Sequence, residues 1–166
     1  PVEDYEAWMA SLCAEGKAEE VVSHANALEL QCMHTCGLLY PKALETVQAL
    51  HDRGYQMAIC SNGPEPYVAA FVEAHGMAPF FSTVYARGTR YRDKTEMTGL
   101  ILEQHRPAAF AVIGDRHDDI EAALAHGGIG IAAAYGFGSA PEYEQAERVL
   151  ASIAELPECL NALWHC

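Results

Sequence analysis

The chain contains 166 residues, of which 51% are hydrophobic and 20% are charged. This composition is typical of a folded globular protein of about one domain, and it excludes an intrinsically disordered chain. Ten Lys and Arg residues against 23 Asp and Glu residues give a net charge of −13. Nucleic acids and anionic membranes are recognised by basic surfaces, so this charge argues against both as partners. A small anionic ligand needs only a local positive site and is not excluded.

Residues 1–36 have the periodicity of helices, and Gly16 divides them into two predicted helices. In the second helix, Cys32 and Cys36 flank His34. We favour structural thiols over a zinc site there, because no second pair of ligands follows at a suitable distance. The six cysteines are scattered, and the sequence shows no secretory signal and no apolar run long enough to span a bilayer. These features favour a reduced, cytoplasmic protein.

From residue 42 onward, predicted helices and strands alternate. In chain order they are helix 42–52, strand 55–60, helix 65–75, strand 81–86, helix 94–105, strand 109–113, helix 119–126, strand 129–133, a short helix near 141–146, strand 148–150 and helix 153–164. The strands are apolar without alternation, which is typical of parallel strands covered on both faces. We therefore predict a Rossmann-like α/β fold of three layers. Right-handed crossovers place the carboxyl ends of its strands at one edge, where open α/β proteins bind ligands.

The strand predicted over residues 55–60 ends in Ser61-Asn62-Gly63, which opens the next helix. The free N–H groups and the dipole of a helix N-terminus form a favourable site for an anion. The hydroxyl of Ser61 and the amides of Asn62 and Gly63 are therefore candidate ligands of a phosphate group. The alternative is that Ser61 or Asn62 only caps the helix.

Lys94 stands at the start of a predicted helix, where a positive charge opposes the helix dipole. A bound anion or a cluster of carboxylates facing Lys94 would explain this position, whereas a solvated surface lysine is the alternative. Arg87, Arg90 and Arg92 precede Lys94. This loop is therefore the only basic patch in an acidic sequence.

An acidic turn follows the strand predicted over residues 109–113, and it carries Asp115, Asp118 and Asp119. Asp115 directly follows the strand, so its side chain overhangs the edge of the sheet, and Asp119 returns to the same side if the helix begins near Asp118. Clustered carboxylates suit Mg²⁺, which takes oxygen ligands and shares them with phosphate. Helix capping by Asp118 or Asp119 is the alternative. The choice between them as the second acid of a metal site stays open.

The order of these motifs resembles the haloacid dehalogenase-like (HAD) hydrolase superfamily, and within it the branch similar to phosphoglycolate phosphatases. In that family a Ser or Thr ends a strand, a Lys follows, and a Gly-Asp-x-x-x-Asp motif comes next. Ser61, Lys94, and Asp115 with Asp119 stand at those positions. Smaller likenesses over residues 38–160 are Leu39-Tyr40-Pro41, Arg92-Asp93-Lys94-Thr95 and Tyr135-Gly136-Phe137-Gly138.

The resemblance implies a phosphatase of small phosphorylated metabolites that works through an Asp nucleophile and a phosphoaspartate, with Mg²⁺ bridging the nucleophile and the phosphate. It implies that Ser61 holds the phosphoryl oxygens and that Lys94 screens their charge against the nucleophile. Asp115 would bind Mg²⁺ directly, and Asp119 would act through a water molecule or by supporting the ligands.

The first motif of the family, Asp-x-Asp-Gly-Thr on the first strand, has no match in the sequence. Asp4 has no apolar strand before it and Asp52 lies at the end of a predicted helix, so neither is a credible nucleophile. In the family, the first strand lies between the strand that ends at Ser61 and the strand that ends at Asp115. Without it, these two strands would pair directly, take up a strand of another chain, or belong to a longer protein that contains the strand.

We therefore expect residues 37–166 to form a HAD-like core that lacks its first strand, and residues 1–36 to be the trailing helices of an α-helical cap. The chain begins at Pro1, and we favour truncation, with a chain inactive by itself, over a natural protein without a nucleophile. The alternative function is a non-catalytic HAD-like binding or regulatory module, and association through the gap left by the missing strand is a further expectation. A signalling receiver domain is disfavoured, because its acidic pair precedes its Lys.

Overall fold

The computed structural model describes residues 5–88 and 90–164. Within these ranges the chain forms five strands, and every strand pairing is parallel. In chain order the strands are β1 (Met57–Ser61), β2 (Phe81–Ala86), β3 (Ala111–Gly114), β4 (Ile129–Ala133) and β5 (Arg148–Leu150). The predicted parallel α/β arrangement is confirmed. Pro1 and Asp4 lie outside the described residues.

Helices accompany the strands throughout the described part of the chain. The α-helices are α1 (Tyr5–Ser11), α2 (Ala18–Thr35), α3 (Ala43–Asp52), α4 (Glu65–Ala74), α5 (Lys94–His105), α6 (His117–Ala125) and α7 (Leu156–Trp164). Short 3-10 helices span Ala78–Phe80, Ala140–Tyr143 and Ile153–Glu155. The last two replace the helix predicted near 141–146 and the first turn of the helix predicted over 153–164.

The five strands fall into two separate sheets. β1 pairs with β2, and Ser61 lies opposite Ala86. β4 lies between β3 and β5, and Gly114 lies opposite Ala132. β1 does not pair with β3, so the direct pairing considered from the sequence is not formed. Each of these two strands therefore keeps one edge without a strand partner among the described residues.

Helices cover the larger sheet on both faces, as neighbouring residues of β4 show. Ile131 and Ala132 are both fully buried. Ile131 clusters with Leu50 of α3 and Leu160 of α7, whereas Ala132 clusters with Ile120 of α6. Successive side chains of a strand point to opposite faces, so α3 and α7 lie on one face and α6 on the other. The predicted three-layer arrangement is confirmed.

Two predicted boundaries near the first strand are wrong. Tyr55 was expected in the strand, but its N–H donates to the carbonyl of Leu50 at 3.1 Å, which closes the end of α3 and delays the strand until residue 57. The preceding helix was expected to begin at residue 42. Lys42 instead adopts a left-handed conformation (φ 70°) as the residue before the helix, so α3 begins at Ala43.

The helices α1 and α2 lie at the start of the described residues. α2 packs against α1 and α4, and none of its residues is buried. Cys32 of α2 and Cys36, which directly follows α2, are free and exposed. No helix within the described ranges is long and apolar enough to cross a membrane. The assignment of residues 1–36 to a cap stays a prediction.

Candidate active site

The turn after β1 places Ser61, Asn62 and Gly63 at the carboxyl edge of the smaller sheet. Ser61 is the last residue of the strand, and its Oγ accepts the N–H of Gly63 at 3.1 Å. A serine hydroxyl that accepts one hydrogen bond still has a proton to donate. Pro64 caps α4 without a side-chain hydrogen bond. Ser61 and Asn62 therefore do not cap this helix, contrary to the alternative considered from the sequence.

Asn62 links this turn to the acidic turn after β3. Its Nδ2 donates a hydrogen bond to Oδ2 of Asp118. The contact joins residues that follow strands of different sheets, so side chains span the space between β1 and β3. The two strand ends predicted to meet at one edge do meet there.

Lys94 lies between these two turns. α5 begins at Lys94, and Asp93 caps it by accepting the N–H of Glu96 at 2.8 Å. The Nζ atom of Lys94 lies 2.5 Å from Oδ1 of Asp119 and 3.7 Å from Oδ1 of Asp118. Only 11% of the Lys94 side chain is exposed. The carboxylates therefore compensate for a position that the helix dipole disfavours, and Lys94 is not a solvated surface lysine.

The electrostatic environment of Lys94 keeps it charged. Burial by itself would lower the pKa of Lys94, but the carboxylates of Asp119 and Asp118 outweigh burial and raise this pKa above its usual value. One positive charge thus faces two carboxylates.

Asp119 combines this ion pair with helix capping. α6 begins at His117, two residues earlier than predicted, and Oδ2 of Asp119 accepts the N–H of Arg116 at 3.1 Å. Its other oxygen, Oδ1, faces Lys94. The capping alternative is therefore confirmed for Asp119, together with the predicted return of its side chain to the edge of the sheet.

Gly114, the last residue of β3, leaves room for Asp119. A Cβ atom at this position would lie 2.0 Å from Cγ of Asp119. No side chain fits there while Asp119 keeps its place.

Asp115 is held by the glycine-rich loop at residues 135–138. Its Oδ2 accepts the N–H of Phe137 at 2.6 Å. A Cβ atom at Gly136 would lie 2.4 Å from Cβ of Asp115, and a Cβ atom at Gly138 would lie 1.7 Å from its carbonyl oxygen. The loop therefore wraps closely around Asp115. From the sequence this loop is only a likeness to the family, and its contact with Asp115 is not predicted.

Glu142 is a second residue of this region that the sequence reasoning missed. Its Oε2 lies 2.7 Å from Nε of Arg116, and its Oε1 accepts the N–H of Ser139 at 3.1 Å. The hydrogen bond from Arg116 is the main cause that lowers the pKa of Glu142 to about 2. The pattern Ser139-x-x-Glu142 is a capping-box signature. It could have predicted that Glu142 bonds to the backbone at the start of a helix.

The carboxylates of the acidic turn are the candidate ligands of a metal ion. No group of three or more His, Cys, Asp or Glu side chains that could hold a metal ion is found in the described ranges. Mg²⁺, however, usually keeps several waters and binds through one or two carboxylates plus substrate phosphate. Oδ2 of Asp115 is engaged with Phe137, which leaves Oδ1 to face a ligand. The residues fit a Mg²⁺ ion shared with phosphate, and they do not form a closed protein cage.

The structure thus gathers Asn62, Lys94, Asp118 and Asp119 into one contact network, with Ser61 at its border. Asp115 lies on the same turn as Asp118 and is fixed separately by Phe137. Asp52, excluded as a nucleophile, ends α3 and accepts a hydrogen bond from Gln48 at 2.7 Å.

A parallel sheet covered by helices, with polar side chains at its carboxyl edge, defines an α/β protein of the doubly wound class. A family model described as haloacid dehalogenase-like hydrolase matches residues 3–127. The chain belongs to the haloacid dehalogenase-like hydrolases.

Individual proteins agree with this assignment. The phosphoglycolate phosphatase of Escherichia coli K12 is 31% identical over 129 residues, which is 74% of this chain and 51% of that relative. The structure of a predicted phosphoglycolate phosphatase from Haemophilus somnus has a TM-score of 0.80 at 19% identity and covers 89% of this chain and 68% of its own. The structure of the HAD phosphatase from Thermococcus onnurineus has a TM-score of 0.71 at 20% identity, and the match covers 95% of this chain and 74% of that protein. These structures share the fold, and the chain spans about half the length of the curated relatives it matches.

Proposed function

We propose that this chain is part of a Mg²⁺-dependent phosphatase that hydrolyses small phosphorylated metabolites similar to phosphoglycolate. The observation that carries the proposal is the position of Lys94, which is largely buried and faces Asp118 and Asp119, while Asn62 of the turn after Ser61 bonds to the same Asp118. A buried lysine and a hydroxyl at the carboxyl edge of a parallel sheet suit a phosphate ligand. The relatives named phosphoglycolate phosphatase support the substrate class.

In this proposal Ser61 donates its hydroxyl proton to a phosphoryl oxygen. The N–H of Gly63 already points to Oγ of Ser61, so Gly63 orients this hydroxyl. The side chain of Asn62 is engaged with Asp118, so Asn62 contributes its backbone amide. Lys94 holds a positive charge near the phosphoryl group, and Asp119 fixes the position of Lys94.

Mg²⁺ would be held by Asp115, whose orientation the N–H of Phe137 fixes. When bound, the ion would neutralise charge on the phosphoryl group. Both oxygens of Asp119 are engaged, by Lys94 and by the N–H of Arg116. We therefore place Asp119 in a supporting role or in contact through a water molecule, rather than in direct contact with the metal.

The nucleophile is proposed to come from a strand that lies between β1 and β3. Both strands have an edge without a strand partner in the described part of the chain, and a strand placed there would end beside Ser61 and Asp115. Backbone groups of buried strand edges need partners. An Asp at the end of that strand would form the phosphoaspartate, and residues 1–36 would be the trailing helices of a cap.

The test is the hydrolysis of p-nitrophenyl phosphate by the full-length protein, with Mg²⁺ and with excess EDTA. We expect turnover that depends on Mg²⁺ and that is lost when the Asp of the proposed central strand is changed to Asn. A full-length protein that carries such an Asp and shows no hydrolysis of any phosphate monoester would contradict the proposal. A protein with no such Asp would support the second candidate, a non-catalytic binding module that uses the same edge.

A further inference from the structure

Lys94 does not give the phosphate site a net positive charge. Its one positive charge faces two carboxylates, Asp119 at 2.5 Å and Asp118 at 3.7 Å, which leaves one excess negative charge in this group. A phosphate ester carries up to two negative charges near neutral pH. Besides the Mg²⁺ ion proposed at Asp115, a cation beside Ser61 would therefore favour binding of the ligand there.

Arg87 is fixed beside Ser61 by the backbone. Ala86 lies opposite Ser61 in the register of β1 and β2, and the N–H of Arg87 donates to the carbonyl of Ser61 at 2.8 Å. This hydrogen bond continues the ladder by one residue beyond β2. The Cα atom of Arg87 thus lies at the carboxyl edge of the sheet, next to the proposed phosphate-binding turn.

One donor of the Arg87 guanidinium group, its Nε–H, lacks a partner among the described residues. Its Nε atom is buried and makes no hydrogen bond there. A guanidinium keeps its charge at any physiological pH, and a buried unpaired donor is unfavourable. Arg87, a half-buried residue, therefore has one buried donor with no acceptor among the described residues.

Among the described residues, Arg87 is the only arginine with a buried donor that has no partner. Arg92, Arg116 and Arg148 each lie within hydrogen-bonding distance of a carboxylate. Arg90 stacks over the ring of Tyr91 at 5.3 Å and is exposed. The unpaired state of Arg87 is thus a local property of the edge and not a general feature of this basic loop.

We propose that Arg87 is a ligand of the substrate phosphate and completes the anion site formed by the turn at Ser61. The guanidinium supplies planar, charge-assisted hydrogen bonds to phosphate oxygens. It also adds a positive charge to that of Lys94, which two carboxylates already face. This inference rests on the proposed function, since it assigns a further residue to the same site.

The experiment measures inhibition by inorganic phosphate and the KM for p-nitrophenyl phosphate in the full-length protein and in Arg87→Gln. We expect both the inhibition constant and KM to rise at least about tenfold in Arg87→Gln, since a hydrogen bond between charged groups contributes about that much. Arg87→Lys keeps the charge without the planar fork, and we expect an intermediate rise. The matched control is Arg90→Gln, which removes the same charge from the same loop and should leave both constants within about twofold of wild type.

Equal phosphate inhibition in wild type and Arg87→Gln would overturn the role of Arg87 while leaving the phosphatase activity intact. Equal rises in Arg87→Gln and Arg90→Gln would also overturn it, because they would show a general charge effect. If Arg87→Gln does not fold, Arg87→Lys decides: unchanged phosphate inhibition in that variant would contradict a bidentate contact. If the wild type hydrolyses no phosphate monoester, calorimetric titration with inorganic phosphate still tests Arg87, so this failure is separate from the failure of the proposed function.

Discussion

Lys94 and Asp119 form an ion pair in which Nζ and Oδ1 are 2.5 Å apart and the two side chains are only 11% and 6% exposed. Lys94 starts α5 and Asp119 lies in the first turn of α6. The pair therefore connects the helix that follows the smaller sheet to the helix that follows β3. Its charges serve the site and also hold these two parts of the molecule together.

Replacing Lys94 should therefore cost stability as well as activity. Lys94→Met leaves the carboxylate of Asp119 buried beside Asp118 without a cation, and we expect the free energy of unfolding to fall by about 3–5 kcal/mol. The measurement is urea unfolding followed by circular dichroism. The control is Lys17→Met, which breaks the exposed pair of Lys17 and Glu20 and should change the same free energy by less than about 1 kcal/mol. Equal losses in both variants would show that burial of the Lys94 pair has no special effect.

Gly138 should be intolerant of the smallest side chain. A Cβ atom there would lie 1.7 Å from the carbonyl oxygen of Asp115 and 2.6 Å from the hydroxyl of Tyr143. We expect Gly138→Ala to lower the free energy of unfolding by about 1–3 kcal/mol, as overpacking does, and to displace the N–H of Phe137 from Asp115. Urea unfolding measures the loss.

The matched control for Gly138 is Gly99→Ala in α5. Its Cβ would lie 3.0 Å from the ring of His126, a side chain that bonds to the carbonyl of Thr95 at 2.9 Å and would have to shift slightly. Alanine is favoured over glycine inside a helix by about 1 kcal/mol, which offsets this shift, so Gly99→Ala should cost much less stability than Gly138→Ala. The steric explanation for Gly138 is wrong if the two variants behave alike.

The ion pair of Arg116 and Glu142 should give the protein a defined acid sensitivity. The hydrogen bond from Arg116 lowers the pKa of Glu142 from 4.5 in the unfolded chain to about 2. A carboxyl group whose pKa is lowered by folding stabilises the folded state above its unfolded pKa, and this contribution is lost as the pH falls towards the folded pKa. The stabilisation is therefore complete above about pH 4.5 and declines between there and about pH 2.

Thermal unfolding of wild type and Glu142→Gln between pH 3 and pH 7 measures this contribution. We expect the variant to be less stable at pH 6 to 7, with a difference that shrinks as the pH falls. Glu144→Gln, on the same loop and exposed, is the control and should follow the wild type at every pH. A constant difference between Glu142→Gln and wild type down to pH 3 would rule out this linkage.

Asp115→Asn tests the proposed metal ligand. The amide oxygen of Asn can still accept the N–H of Phe137, so the loop at residues 135–138 keeps its anchor while the negative charge is lost. We expect the affinity for Mg²⁺, measured by titration calorimetry on the full-length protein, to fall at least about tenfold. Asp52→Asn, which changes a carboxylate engaged with Gln48, should bind Mg²⁺ as the wild type does. An unchanged affinity in Asp115→Asn would remove Asp115 from the site.

Local sequence signals were sufficient to predict α5 and the environment of its first residue. The predicted bounds 94–105 agree with the structure. The unfavourable position of Lys94 in the helix dipole predicts a facing anion or carboxylates, and the structure places Asp118 and Asp119 there. These inferences succeed because each depends on neighbours within a few residues.

Contacts between distant segments could not be predicted in the same way. The N–H of Phe137 reaches Asp115, and Arg116 reaches Glu142, only because β4 brings the loop that follows it back beside β3. The glycines of that loop indicate a turn in the sequence. They do not indicate that the loop lies against Asp115. The unpaired Nε–H of Arg87 could likewise not be predicted from the sequence, since any arginine of the basic loop could have had a carboxylate partner.

The close approach of Gly114 and Asp119 gives a steric reason for the spacing of the Gly-Asp-x-x-x-Asp motif. A side chain at position 114 would occupy the space of the carboxyl group at position 119, so the two positions are expected to vary together among homologues. A residue larger than glycine at position 114 should occur only with a residue shorter than Asp at position 119. The need for glycine at position 114 therefore comes from the acid that it accommodates, and not from a left-handed backbone conformation.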